Sequence, residues 1–331
     1  MELRVNKSPG LRNDLLVILP RSEIAQARLH IAGREKLMSL PGLLRHAGKQ
    51  AADERSSVNK CKIAVEDHLK ALNRSGAGIL DDQGAPARRL LVIGCRNLGN
   101  NHGFIAWQKD ETPRFFHIQG DPLSYPAYSC LTCAMDGSLT IRGLRFQGDR
   151  VLEGAMDITD AVDWCVYGNP VLKEGRVIPI EDVIEQFYDI RHALAFDFNT
   201  PSGRRVEAGI YDGYPERFRA NALRALHEKG VPRNRFLQNA LGLCEENLYI
   251  LQREGTIEEI GHWLKEAGAK DGIILDNGGS VFCWAWRVHP RGGCIFTAPD
   301  FRPPSSAVIA LALNGPAQTD LPGGSASFSV V

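Results

Sequence analysis

The sequence has no surplus of charge of either sign. Lysine plus arginine and aspartate plus glutamate each number 39 in 331 residues, so the formal net charge is zero. Proteins built to hold nucleic acid usually carry a basic excess, so no nucleic-acid partner is expected. No apolar run is long enough to span a bilayer, so no membrane association is expected either. Near the amino end only Leu15 to Leu19 is continuously apolar, and Pro20 interrupts it. No small-residue cleavage site follows, so a signal peptide is not expected and the protein reads as cytoplasmic. The eight cysteines are spread thinly over the chain. Without an export signal they read as free thiols rather than a disulfide framework.

Several chemical signatures are also missing. There is no G-x-S-x-G elbow and no H-E-x-x-H, so serine-hydrolase and zincin chemistry have no anchor. The run "VIGCRNLGNN", Val92 to Asn101, spaces Gly94 and Gly99 like a P-loop. However, Asn100 and Asn101 stand where lysine and serine or threonine are needed, so the phosphate grip is absent. No G-x-G-x-x-G supports a dinucleotide. Cys130 and Cys133 make a single C-x-x-C, and Cys283 and Cys294 do not supply a second pair at ligand spacing. No metal and no cofactor are therefore expected.

What remains is an ordinary globular composition, 44% hydrophobic and 24% charged, in a chain long enough for one large domain or two medium ones. Ser22 to about Leu37 reads as a helix capped by Ser22. In residues 57–73, Val58, Cys61, Val65, Leu69 and Leu72 share a helical face. Residues 1–85 thus read as a helical lead-in, 86–314 as the main domain and 315–331 as a flexible tail. Within the main domain "RLLVIGC", "RFFHIQG", "SLTIRGLRF" and "AVIALAL" read as strands, and "MDGS" as a turn. "DWCVYGNPVLKEGRVIPI" reads as a strand, a break, and a hairpin turning on Glu174-Gly175. Helices are expected after Pro179 and from about Pro215 to Lys229. The expected fold class is α+β, a mixed sheet packed with helices.

The most informative stretch is "NLYILQREGTIEEIGHWLKEAGAKDGIILDNGGSVFCWAW". It begins with a strand. Thr256 then caps a helix with Glu259 completing a capping box, and Gly268 ends it. A second buried strand delivers Asp276 to its carboxyl end, where sheet proteins often place ligands. Two glycines follow, Gly278 and Gly279. They allow positive φ and a nest of exposed N–H groups able to hold an anion. The bland alternative is an Asx-type turn between strands. Phe282, Trp284 and Trp286 alternate along the next strand. One face of aromatics can stack on a sugar or base, but it is more often core.

In this order the segments resemble the phosphodiester glycosidase family. The family shows Leu-Asp-Gly-Gly-Gly-Ser after a helix ending in Leu-Gly-Ala, and "TIEEIGHWLKEAGAKDGIILDNGGS" is similar. "YGNPVLKEGRVI", Tyr167 to Ile178, resembles its Gly-Pro-x-Leu-Val-x-Asp-Gly-x-Val segment. "FLQNALGL" sits where the family has Pro-Arg-Thr-Ala-Ile-Gly. "FRPPSSAVIALAL" resembles its closing Arg-Pro segment and last strand, and "NNHGF" is nearest to its early Asn-Gly-Gly-Phe-Phe. Gln238 stands in place of the family's arginine, and Asn277 in place of the first glycine of its triplet.

The resemblance implies hydrolysis of a small glycosyl-1-phosphodiester or a nucleotide-linked sugar at the anomeric carbon–oxygen bond. Asp276 would be the key carboxylate. Asn277, Gly278, Gly279 and Ser280 would bind phosphate or sugar hydroxyls. Gln238, Gly168, Asn169, Asn101 and His102 would line the pocket. Asp157, Asp163 and Asp212 are candidates for a second carboxylate. The two substitutions also motivate an alternative, a non-catalytic protein that binds a sugar phosphate or nucleotide on the same fold. Glycosyl transfer is a third reading.

Overall fold

The computed structural model describes residues 1–6, 14–31, 65, 89–95, 105–109, 114–115, 127–147, 150–182, 220, 235–286, 293–298 and 307–314. The strands in chain order are β1 Glu2–Asn6, β2 Asp14–Pro20, β3 Ile24–Ile31, β4 Leu90–Cys95, β5 Ile105–Gln108, β6 Arg114–Phe115, β7 Tyr128–Ala134, β8 Leu139–Gln147, β9 Arg150–Glu153 and β10 Met156–Asp157. They continue with β11 Val162–Tyr167, β12 Asn169–Lys173, β13 Arg176–Val177, β14 Phe236–Leu243, β15 Asn247–Gly255, β16 Asp271–Asn277, β17 Phe282–Trp286, β18 Gly293–Thr297 and β19 Ala307–Leu313. One complete α-helix is described, α1 at Ile257–Ala267.

The described residues are mostly β, which corrects the expected α+β class and its helical amino-terminal lead-in. The segment expected to be a helix capped by Ser22 holds a short 3-10 turn, Arg21–Glu23, and then β3. The physical reason is periodicity. Leu15, Val17 and Leu19 in β2, then Ala27, Leu29 and Ile31 in β3, are buried at every second position. A period of two puts one face of a strand into the core, whereas a helix would need a period of 3.6. Of the helix expected over 57–73, only Val65 is described, and it is helical and buried. Of that expected over 215–229 only Ala220 is described, also helical. The helix expected after Pro179 opens as a 3-10 turn, Ile180–Asp182, and its remainder lies outside the described residues.

Two compact units are built from interleaved segments. The first comprises Met1–Asn100, Leu237–Glu254 and Leu275–Val331. In it β17, β4, β19 and β3 pair in that order, with β18 on the other side of β17. Every residue of β4 and β19 is buried, as their unbroken apolar sequences lead one to expect. One face of this sheet gathers Leu90, Val92, Phe282, Trp284, Val308, Ala310 and Ala312 with Val65. The strands β1-β2-β15-β14 pair in that order in a second sheet, and β14 neighbours β16, which enters this unit at Leu275.

The second unit comprises Asn101–Phe236 and Gly255–Ile274. Its sheet runs β10-β9-β8-β7-β11-β5-β6 around a core of Trp107, Tyr128, Leu144, Phe146, Cys165 and Tyr167. The expected turn at Met135 to Ser138 is present, with Asp136 Oδ1 accepting the Ser138 amide at 2.8 Å. The Glu174-Gly175 hairpin is present too, and both residues have positive φ.

Helix α1 follows the sequence reading closely. Thr256 Oγ1 accepts the Glu259 amide at 3.2 Å, and Glu259 Oε2 accepts the Thr256 amide at 2.8 Å, completing the capping box. Gly268 ends the helix in the left-handed region at φ 109°. The helix lies on β12 and β13 through Gly261, where a Cβ would come within 2.6 Å of the Val171 carbonyl oxygen and 3.0 Å of Val177 Cγ1. Alanine favours a helix over glycine by up to about 1 kcal/mol, but the obstacle here is backbone and cannot swing aside. Gly261→Ala should therefore destabilise the protein by about 1–3 kcal/mol. Urea unfolding would check this, and a gain in stability would contradict the close packing of α1.

Candidate functional site

Asp276 is the penultimate residue of β16 and is 6% exposed. Burying a carboxylate costs free energy unless donors surround it. The next four residues supply them. Ser280 Oγ donates to Asp276 Oδ2 at 2.6 Å, and the Asn277 amide donates to Asp276 Oδ1 at 2.9 Å. Both are bonds that an ionised carboxylate accepts.

A 3-10 turn, Gly278–Ser280, brings the hydroxyl back onto the carboxylate. Gly278 makes this possible with φ 75°, a region where a side chain is strained. Of the two glycines it alone needs that freedom. Among the described residues, its chain neighbours apart, no atom lies within 4 Å of where a Cβ on Gly278 would stand. The Val281 amide closes it on the Gly278 carbonyl at 3.4 Å.

Cys95, at the end of β4, was not foreseen as a neighbour. Burial pushes its thiol well above the usual range, and the charge of Asp276 pushes it further up. Cys95 is therefore a neutral thiol at neutral pH and no nucleophile.

The other expected residues are placed as follows. Gln238 is buried on β14 in the same unit as Asp276. Gly168 and Asn169 belong to the second unit. Asn169 opposes Ile274 in the β12–β16 pairing, and its Oδ1 accepts the Tyr167 hydroxyl at 2.8 Å. Gly168 has no room for a side chain, since a Cβ would stand 2.8 Å from Ile273 Cβ. Asn101 and His102 lie outside the described residues. Of the expected set, the structure thus joins Asp276, Asn277 and Ser280 by direct hydrogen bonds.

Among the second-carboxylate candidates, Asp212 lies outside the described residues. Asp163 is half-buried on β11. Asp157 is exposed at the β10 turn, where it accepts from Thr159 Oγ1 at 2.6 Å and Arg150 Nε at 2.7 Å. Bonds from the Thr159 hydroxyl and amide, then Arg150, pull its carboxyl down to about 2. A carboxyl lowered in the fold supports stability above its ordinary value of 3.8 and loses that support as pH falls toward about 2. Asp157 is consequently a local clasp. An NMR titration of its carboxyl carbon should show a midpoint near 2, and a midpoint at 3.8 would contradict these bonds.

Phe282 and Trp284 are buried in the core, not presented as a platform, and the Trp286 side chain is outside the described set. Among the described residues no group of three or more His, Cys, Asp or Glu side chains is placed to hold a metal ion. Cys95, Cys130, Cys133, Cys165, Cys244 and Cys283 form no disulfide with one another. No described helix is long and apolar enough to cross a membrane.

Sequence reasoning missed the buried amides Asn239 and Gln252, which are fully buried on β14 and β15. The available signal was a polar side chain inside each apolar strand, "FLQNALGL" and "NLYILQ".

No protein-family model and no curated protein matches the chain. Some solved structures align with most of the chain at low similarity. One is the catalytic domain of zebrafish N-acetylglucosamine-1-phosphodiester alpha-N-acetylglucosaminidase, auto-inhibited by its pro-peptide. It aligns over 95% of this chain and 88% of its own, at 10% identity and a TM-score of 0.39. A hypothetical protein from Synechocystis aligns over 94% of this chain and 61% of its own, at 11% identity and a TM-score of 0.34. Both likenesses are weak.

Proposed function

We propose that the protein is a hydrolase that cleaves the anomeric C–O bond of a small glycosyl-1-phosphodiester or nucleotide-linked sugar, with Asp276 as its key carboxylate. The supporting observation is the turn itself. A buried carboxylate at the carboxyl end of β16 has both oxygens held by its own loop, beside a glycine whose outer side meets no other described residue. That geometry suits a fixed negative charge facing a carbon that gains positive character.

Breaking the anomeric bond passes through an oxocarbenium-like state, which such a carboxylate stabilises electrostatically or by attack. The phosphate leaves as a stabilised anion, so the demand for a general acid is modest. Because both Asp276 oxygens are already anchored, the carboxylate needs no reorganisation as charge develops. The Asn277 to Ser280 loop would meet the phosphate or sugar hydroxyls, and Gln238 would present a neutral amide to the substrate. The proposed setting is intracellular.

The test is free-sugar release from a panel of sugar-1-phosphodiesters and nucleotide sugars by purified protein. Release supports the reading. No release from any member, with thermal stabilisation by the same compounds, would replace it with a non-catalytic binder. The neutral Gln238 in place of an anion-binding arginine is the feature that would then need explaining.

A further inference from the structure

Asn239 and Gln252 hold polar amides inside strands that are otherwise apolar, and both are fully buried. They form a directed chain. Asn239 Nδ2 donates to the Gly94 carbonyl at 2.5 Å, Gln252 Nε2 donates to Asn239 Oδ1 at 3.0 Å, and the same Nε2 donates to the Phe282 carbonyl at 2.8 Å. The direction is fixed because a backbone carbonyl at either end can only accept.

The ends of the chain are informative. Gly94 immediately precedes Cys95, whose thiol feels the Asp276 charge. Phe282 lies two residues beyond Ser280, the hydroxyl bonded to Asp276. The strands carrying these carbonyls, β4 and β17, pair directly, with Cys283 opposite Ile93. The amide chain therefore holds β17 two residues beyond the Asp276 turn and ties it to β4, its partner strand.

The arrangement also carries a cost. Gln252 Oε1 is buried with no hydrogen-bond partner among the described residues. An apolar side chain in place of Gln252 would remove that orphan but leave the buried Asn239 Oδ1 without its Gln252 donor, so the two amides stand or fall as a pair. Polar groups kept at such a cost hold a particular geometry.

We propose that Asn239 and Gln252 are positioning residues that fix the Asp276–Ser280 turn. Their role in catalysis rests on the hydrolase reading above; their hold on the turn does not. Gln252→Met removes both donations and the orphan acceptor together. Asn239→Ser cuts the Gly94 arm and leaves the Phe282 arm, which serves if the first variant folds poorly.

Hydrogen–deuterium exchange reads the turn directly through the Asn277 and Val281 amides, which are bonded within it. Both variants should exchange there about tenfold faster than wild type, with β7 and β8 amides unchanged. Where wild type releases sugar, kcat should fall about tenfold with KM nearly constant, as expected when only the transition state loses stabilisation. Unchanged exchange in the turn would overturn the proposal, as would faster exchange spread evenly over both units. If wild type releases no sugar but the turn alone loosens, the positioning role stands and the hydrolase reading falls.

Discussion

Phe282→Ala is expected to destabilise the protein by about 4 kcal/mol, within the usual range for deleting a buried phenylalanine. Phe282 has no exposed surface and packs with Leu90, Val92, Trp284 and Val308. Two strands paired on either side of β4 limit how far the site can collapse, since β17 and β19 are both hydrogen-bonded to it. The residual cavity therefore stays large, and cavity volume sets much of the cost. The Gln252 bond survives the change, because it goes to the Phe282 backbone carbonyl. Urea unfolding at constant m-value would measure the loss. A loss below about 1 kcal/mol would mean that the ring is not core. The idea of an aromatic face stacked on a ligand would then return.

Asp276→Asn is expected to lower turnover by about a thousandfold, the scale of removing a charged group that acts on the reacting centre. The substitution keeps the shape of the side chain. Its remaining oxygen can still accept the Asn277 amide, and the turn should hold. Folding should therefore survive, and thermal stabilisation by a product sugar should persist. One local consequence is electrostatic. The Cys95 thiol loses one of the two influences that raise it, although burial, the larger, remains. Steady-state rates of sugar release, with circular dichroism as a folding control, check the prediction. Activity within tenfold of wild type would remove Asp276 from the mechanism.

Local signals in the sequence described α1 and the Asp276 turn better than the overall fold. Thr256, Glu259 and Gly268 bound α1 because capping chemistry depends on residues only three or four apart. The same locality made the Asp276 turn legible, since its partners Asn277 and Ser280 follow within four residues. The strands β4 and β19 were evident from unbroken apolar runs.

The amino-terminal segment misled because its apolar positions satisfy two periods over a short span, and only β2–β3 pairing with distant strands decides between them. β2 pairs with β15 and β3 with β19, more than 200 residues away in sequence. No local pattern encodes such partners. The Asn239–Gln252 chain was hidden for the same reason, because its acceptors, Gly94 and Phe282, come from remote strands. A buried amide within an apolar run was its only local trace.

The central claim is that the anomeric carbon–oxygen bond breaks, and hydrolysis in water enriched in heavy oxygen tests it most directly. Mass spectrometry of both products then shows which atom water attacked. The account predicts that the heavy oxygen appears in the released sugar and not in the phosphate. Heavy oxygen in the phosphate would place the cleavage at phosphorus and contradict the mechanism assigned to Asp276.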